Sequence, residues 1–208
     1  MKILLLLFAS LLLSGSGDKF LEEIPAYQRD SYFKQEVYNE HDSKSFYQLK
    51  EANSIVNPDN YDLHLLNAAV FFATNKLREE KKLKTLLFSS GLRDAAVVHS
   101  YQMVTKNFFN HINSKTLKLR MPDERMSMFG AQFKSCAENI DWNNIPVPSN
   151  TTYIQLADKL VDAWFHSAPH KKTMLSKQLS HLGCGAVFEL KNKNGTRYIK
   201  GTQDFILK

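Results

Sequence analysis

Near the C-terminus two apolar runs, CGAVFEL at 184–190 and RYIKGTQDFIL at 197–207, flank Asn194-Gly195. Apolar and aromatic residues mark both runs, and an Asn-Gly pair supplies the positive backbone angles of a tight turn, so the stretch predicts a β-hairpin. Upstream the period changes. Leu63, Leu66, Ala69, Val70, Ala73 and Leu77 recur at helical spacing behind Asp62, a capping residue. Leu92, Ala95, Ala96, His99 and Met103 form a second helical face after Ser89-Ser90-Gly91; it runs towards Phe108 and Phe109 and leaves His111 just past its end. Ile154, Ala157, Val161 and Trp164 mark a third helix over 153–165, with its stop at Pro169. Between them, 113–132 reads as an irregular surface segment, 135–140 as a short strand and 143–152, with Pro146 and Pro148, as a loop. Helices first and a strand pair last predict a mixed α+β layered fold rather than a doubly wound parallel sheet.

At the other end, Met1 and Lys2 precede an apolar run over 3–13 that closes on Ser14-Gly15-Ser16-Gly17. That run is too short to span a bilayer, which takes about 20 residues, and it has the layout of an export signal. Residues 1–17 are therefore expected to be a signal peptide, and the mature chain to be secreted or periplasmic, with no transmembrane segment. Residues 18–60 are polar and tyrosine-rich and end in Asn57-Pro58-Asp59-Asn60; they read as an extension ahead of one domain at 61–208. The net charge is +6, but its 27 basic residues are spread among 21 acids rather than gathered on one element. Nucleic acid is accordingly not an expected partner. Cys136 and Cys184 either form one disulfide, which export permits, or stay as two buried thiols; the residues leave both open, and they leave the oligomeric state open too.

Three segments carry side chains suited to chemistry: Phe108-Phe109-Asn110-His111, Cys136-Ala137-Glu138-Asn139-Ile140 and Trp164-Phe165-His166-Ser167-Ala168-Pro169-His170. Two imidazoles and a carboxylate are a donor set for Zn²⁺, and oxygen-rich surroundings serve Ca²⁺ or Mg²⁺. His111, Glu138 and His170 are thus the candidate metal ligands and also the candidate catalytic residues. His166, Ser167 and His181 are further candidates for cleft contacts. Other residues take structural readings: Trp164 as core, His99 as a buried hydrogen-bonded imidazole, Asn75 and Arg78 as ties from the first helix to nearby backbone, and Asn139 as a support for the strand. Lys171 and Lys172 either draw an anionic ligand towards the cleft or solvate a helix end.

In order and local pattern these segments resemble the bacterial, SCP-like branch of the CAP superfamily, the cysteine-rich secretory, antigen 5 and pathogenesis-related proteins. The resemblance rests on Phe109 with His111, on Ala137 to Ile140, and on Trp164, Ser167 and His170. It extends over about 63–207 through Asn75 and Arg78, His99-Ser100 with Met103, Arg125 before Gly130, Leu182-Gly183 with Gly185, and Gln203 with Phe205. It implies a three-layer α-β-α sandwich whose cleft holds two histidines and two acids. His111, His170 and Glu138 match; the second acid does not, because His166 and Ser167 stand where it would be. The resemblance implies an exported cleft protein that binds a divalent cation, a small ligand or a lipid without turnover. A hydrolase of peptide or cell-wall bonds using His111, Glu138 and His170 is the alternative, disfavoured because no nucleophile is paired with a base and no His-Glu-x-x-His is present. An interaction role for the N-terminal extension is the second alternative.

Overall fold

The computed structural model describes residues 17–27, 29–191 and 194–208; nearly all of the expected export signal lies outside them. Three short helices, α1 (Asp18–Leu21), α2 (Val37–Glu40) and α3 (Ser43–Phe46), precede α4 (Leu63–Glu80). Then come β1 (Leu87–Phe88), α5 (Ser90–Thr105), α6 (Pro122–Met128), β2 (Ser135–Pro146), α7 (Tyr153–His166), α8 (Ala168–Met174), β3 (His181–Phe188) and β4 (Thr196–Leu207). Asp62 caps α4 as expected, its Oδ1 accepting from the amides of His64 and Leu65 at 2.9 and 3.0 Å. Thr152 and Gln155 form a reciprocal capping box at the start of α7.

The four strands lie in the order β1-β3-β4-β2, with β1 parallel to β3 and both long neighbours of β4 antiparallel to it. One face of the sheet buries Leu182, Cys184, Ala186 and Phe205 against α4 and α7, around a fully buried Trp164. The other face carries α5, which sits directly on the glycines of β3: a Cβ on Gly183 would fall 2.0 Å from the Arg93 amide nitrogen. The result is the three-layer sandwich. Asn75 and Arg78 take the structural parts expected of them. Asn75 exchanges hydrogen bonds with the Leu86 backbone, and Arg78 donates to the carbonyls of Lys84, Met174 and Ser176.

Three details differ from the sequence reading, and one choice it left open, the state of the cysteines, is decided. β2 does not stop at Ile140 but continues to Pro146, because all twelve of its residues find partners on β4. Pro146 is tolerated there since β2 is an edge strand and ends on it. Within 113–132, α6 forms with Pro122 in its first turn, and Leu119, Arg125 and Met126 are buried, so this segment inserts into the interior as well as covering it. Pro169 ends nothing by itself: the helix breaks at Ser167, and α8 then begins with proline near its start, where the missing N–H costs no bond. Cys136 and Cys184 are both free. They lie on strands two apart in the sheet, at least about 9–10 Å, are offset along β4 and face opposite sides, beyond the reach of a disulfide.

The stretch read as an extension is folded onto the domain. Val37, Phe46, Ala52 and Val56 join the α4–α7 core, and Phe20, Leu21, Ile24 and Tyr27 pack with Val97 and Val98 of α5. Most of its apolar residues are spent inward, on the domain, although Ile55 and Tyr32 stay exposed.

Candidate functional site

β2 and β4 are in register with Glu138 opposite Asp204, on the sheet face that α5 covers. Glu138 is almost wholly buried, which would by itself make ionisation costly, yet both its oxygens are engaged. Arg125 Nη2 donates to Oε2 at 2.5 Å and His111 Nδ1 donates to Oε1 at 2.8 Å. Burial pushes the Glu138 carboxyl up, but the His111 hydrogen bond and the Arg125 guanidinium overcome it and hold the group below the usual carboxylate range. Glu138 is an anion clamped between a guanidinium and an imidazole.

The loop that carries His111 is fixed from behind. Lys200 Nζ donates to the carbonyls of Met103 and Phe108, Arg125 Nη2 donates to the His111 carbonyl at 3.1 Å, and the fully buried Asn113 receives the amides of Lys115 and Thr116. His99 lies beneath, its Nε2 3.0 Å from the Asn110 carbonyl. Burial pushes His99 down to about 3, so the ring is neutral and Nε2 carries its proton. The His111 ring, in contrast, is 45% exposed. With Nδ1–H committed to Glu138, its Nε2 lone pair is left for a partner outside the protein.

His170 comes from α8 on the far side of the β2 edge. Its carbonyl accepts from the Asn139 amide at 3.2 Å, and that amide also bonds Gln203, which is the supporting task expected of Asn139. Burial and then the proximity of the His111 imidazole lower the His170 pKa, so the two rings are electrostatic neighbours although His170 makes no contact with Glu138. The structure therefore joins His111 to Glu138 directly and His170 only at longer range. His166 and Ser167 stay out. His166 is exposed and turned back to Asp162, and Ser167 is spent at the α7–α8 junction. His181 is bonded to Ser180 at the start of β3, with β4 between it and β2. Beside Glu138 a groove of about 540 Å³ opens between His111, Pro122, Lys134 and Cys136.

Sequence reasoning missed one residue, Asp204. It supplies a second acid, from β4 rather than from the end of α7, and its carboxyl lies within hydrogen-bond reach of Glu138, with no other side-chain partner among the described residues. The signal was there to be read: an acid in the otherwise apolar end of a buried strand. Burial and then the charge of Glu138 drive Asp204 well above the usual carboxylate range, so it keeps its proton to higher pH than an ordinary carboxyl. A carboxyl whose folded pKa is raised contributes stability that is full below its unfolded pKa and is lost as pH rises towards the folded one. Asp204→Asn is accordingly expected to stabilise the protein at pH 7 by on the order of 1 kcal/mol or more. The gain should vanish near pH 4, about the unfolded pKa. Thermal melts of both proteins across pH check this; an asparagine variant less stable at neutral pH would contradict it.

Among the described residues no group of three or more His, Cys, Asp or Glu is disposed to hold a metal ion. The donor chemistry agrees for Glu138, whose oxygens already serve Arg125 and His111; a dication added there would sit beside a guanidinium. Two imidazoles, His111 and His170, are the donors that remain.

A family description for CAP, the cysteine-rich secretory protein family, matches residues 71–199, more than half of the chain. An uncharacterised protein of Bacillus subtilis, YkwD, is 29% identical over 114 residues, and the uncharacterised membrane protein YlbC of the same organism is 28% identical over 112. These matches span 55% and 54% of this chain but only 39% and 29% of the relatives. Among solved structures, an extracellular protein of Bacillus anthracis containing a SCP domain aligns with a TM-score of 0.54 at 22% identity, over 74% of this chain and 44% of that one. An outer surface protein of Borrelia burgdorferi aligns at 0.50 and 16%, over 67% of this chain and 90% of that one. The likeness to these structures is one of fold. No helix among the described residues is long and apolar enough to cross a membrane.

Proposed function

This chain belongs to the cysteine-rich secretory protein family, and from that premise we propose that it is an exported protein whose cleft captures a ligand between His111 and His170 without turning it over. The observation that carries the reading is the 2.8 Å bond from His111 Nδ1 to Glu138, made by a ring that is 45% exposed. A carboxylate that orients an imidazole in this way fixes its tautomer and raises the basicity of the outward nitrogen. Of the three cations expected from the sequence, Zn²⁺ is the one that imidazole suits, whereas Ca²⁺ and Mg²⁺ need oxygen ligands that Glu138 is not free to give. His111 and His170 would hold the ion, with solvent completing its shell, and Glu138 would be the outer carboxylate. When bound, Zn²⁺ would supply a Lewis-acidic anchor for an oxygen of the ligand.

Calorimetric titration of the protein with Zn²⁺, Ca²⁺ and Mg²⁺ tests this. Zn²⁺ is expected to bind at one site, Glu138→Gln to weaken it by about 10- to 100-fold, and the double variant His111→Ala/His170→Ala to lose it. No Zn²⁺ heat, or equal binding by the double variant, would overturn the cation reading.

The same Glu138–His111 pair favours one second reading, water activation by His111 as a general base oriented by Glu138. It predicts hydrolysis of a peptide or cell-wall bond that is lost in folded His111→Ala and His170→Ala.

A further inference from the structure

Along β2 from Glu138, on the same sheet face, the fourth residue is Trp142, about 13 Å away along the strand. It is 49% exposed, and Phe109, two residues before His111, is 41% exposed. Phe109, Trp142 and Tyr198 form a row, with ring centroids 6.1 and 5.7 Å apart and planes tilted by 42° and 53° at the two steps. Two large aromatic side chains left exposed side by side, Phe109 and Trp142, next to a polar cleft, mark a contact surface.

The shelf is rigid. Lys200, opposite Trp142 on β4, has its Nζ 5.3 Å from the indole centroid while donating to the carbonyls of Met103 and Phe108. One ammonium therefore backs the Trp142 ring and ties down the loop that bears Phe109 and His111. Asn110 on the loop borders the row with a polar side chain, whereas Asp141 and Asn143, the alternate residues of β2, point to the opposite face of the sheet.

We propose that this shelf binds a neutral glycan, with sugar rings laid on Phe109 and Trp142 and hydroxyl groups read by the Asn110 amide at its border. The proposal deepens the reading of the cleft as a ligand site and names its ligand class. An aromatic face carries partial negative charge, so it receives the polarised C–H groups on the flat side of a pyranose. Ring planes that turn from step to step suit a chain of saturated rings that also turn. A single flat partner would need parallel planes. Single-stranded nucleic acid would need exposed cations along its backbone. Lys200, the cation against Trp142, has a side chain only 4% exposed and is engaged by backbone and by Glu189.

The test exploits the tryptophan count. The chain has two, and Trp164 is fully buried, so a ligand-induced change in emission reports on Trp142. The full mature chain is titrated with chitotetraose and with cellotetraose. A saturable change is expected with at least one, and by calorimetry Trp142→Ala and Phe109→Ala should each bind about ten-fold more weakly, with Trp142→Phe in between. Both exposed sites allow substitution without unfolding, which circular dichroism verifies. No saturable response to either sugar, equal affinity in Trp142→Ala, or a response confined to phosphatidylcholine–phosphatidylglycerol vesicles would overturn the proposal. Zn²⁺ calorimetry on the same sample separates the two readings: zinc binding without sugar binding sinks the shelf alone, and sugar binding without zinc sinks only the cation.

Discussion

Gly183→Ala is expected to destabilise the protein by about 4 kcal/mol or more, a size reserved for a short list of mechanisms. The added methyl would lie 2.0 Å from the amide nitrogen of Arg93, 2.3 Å from the carbonyl carbon of Leu92 and 2.6 Å from its Cβ. Overpacking usually costs about 1–3 kcal/mol because side chains can rotate away. Here the obstacle is the backbone of α5. Gly185 meets the same helix one turn on, where its Cβ would fall 2.3 Å from the Val97 nitrogen, so the helix cannot pivot about one contact to make room at the other. It must lift, and lifting it opens the packing of Leu92, Ala95, Met126 and Ile206 and draws His99 off Glu138. Urea unfolding and thermal melts measure the loss, which at about 2–4 °C per kcal/mol amounts to roughly 10 °C or more. Gly130→Ala is the control: nothing stands within 4 Å of its Cβ position, and only its φ of +83° is strained, a cost of about 1–2 kcal/mol. A Gly183 variant that melted within a few degrees of the parent would mean that α5 does not rest on β3 as described.

That contact also shows what the sequence could and could not disclose. The apolar stripes of α4, α5 and α7 are written at local spacing, because a helix buries one face and repeats every few residues, and all three helices lie where the periodicity puts them. The hairpin of β3 and β4 is likewise a local signal. The outer half of β2 is not, since Asp141, Asn143 and Asn144 owe their extended conformation to β4, which is distant along the chain. The helix α6 is short and polar, and what fixes it is the burial of Arg125 and Met126 rather than any stripe. For the site, residue types suggested His111, Glu138 and His170 as candidates, and the family resemblance supplied their order. Contacts came only from the fold: it pairs the first two and holds the third at longer range. Asp204 could be noticed as an acid in a buried strand, but its meaning depends on the register that sets it opposite Glu138.

The part played by that register can be measured through Arg125. Its side chain is fully buried, and besides Glu138 it serves the carbonyls of Leu119, Arg120 and His111. Arg125→Met keeps the length and removes the charge, leaving two buried carboxyl groups facing each other and three carbonyls without their donor. Removing one partner of a buried ion pair costs about 3–5 kcal/mol, because the remaining charge is uncompensated; that is roughly 10 °C in melting temperature. The pH signature distinguishes this from lost packing. In the parent, Glu138 is held below its ordinary range, so its share of stability is present above the unfolded pKa and is lost as pH falls through the folded one. Without Arg125, burial and mutual repulsion raise both carboxyls, and the variant instead loses stability as pH climbs above their unfolded values. The gap between the two proteins should therefore widen from about pH 4 to pH 8. It should shrink when Glu138→Gln is added to the variant, because the amide leaves no charge to compensate. A gap that stayed constant over that range would show that the Arg125 guanidinium matters for its shape alone, and that Glu138 does not need it to remain an anion beneath His111.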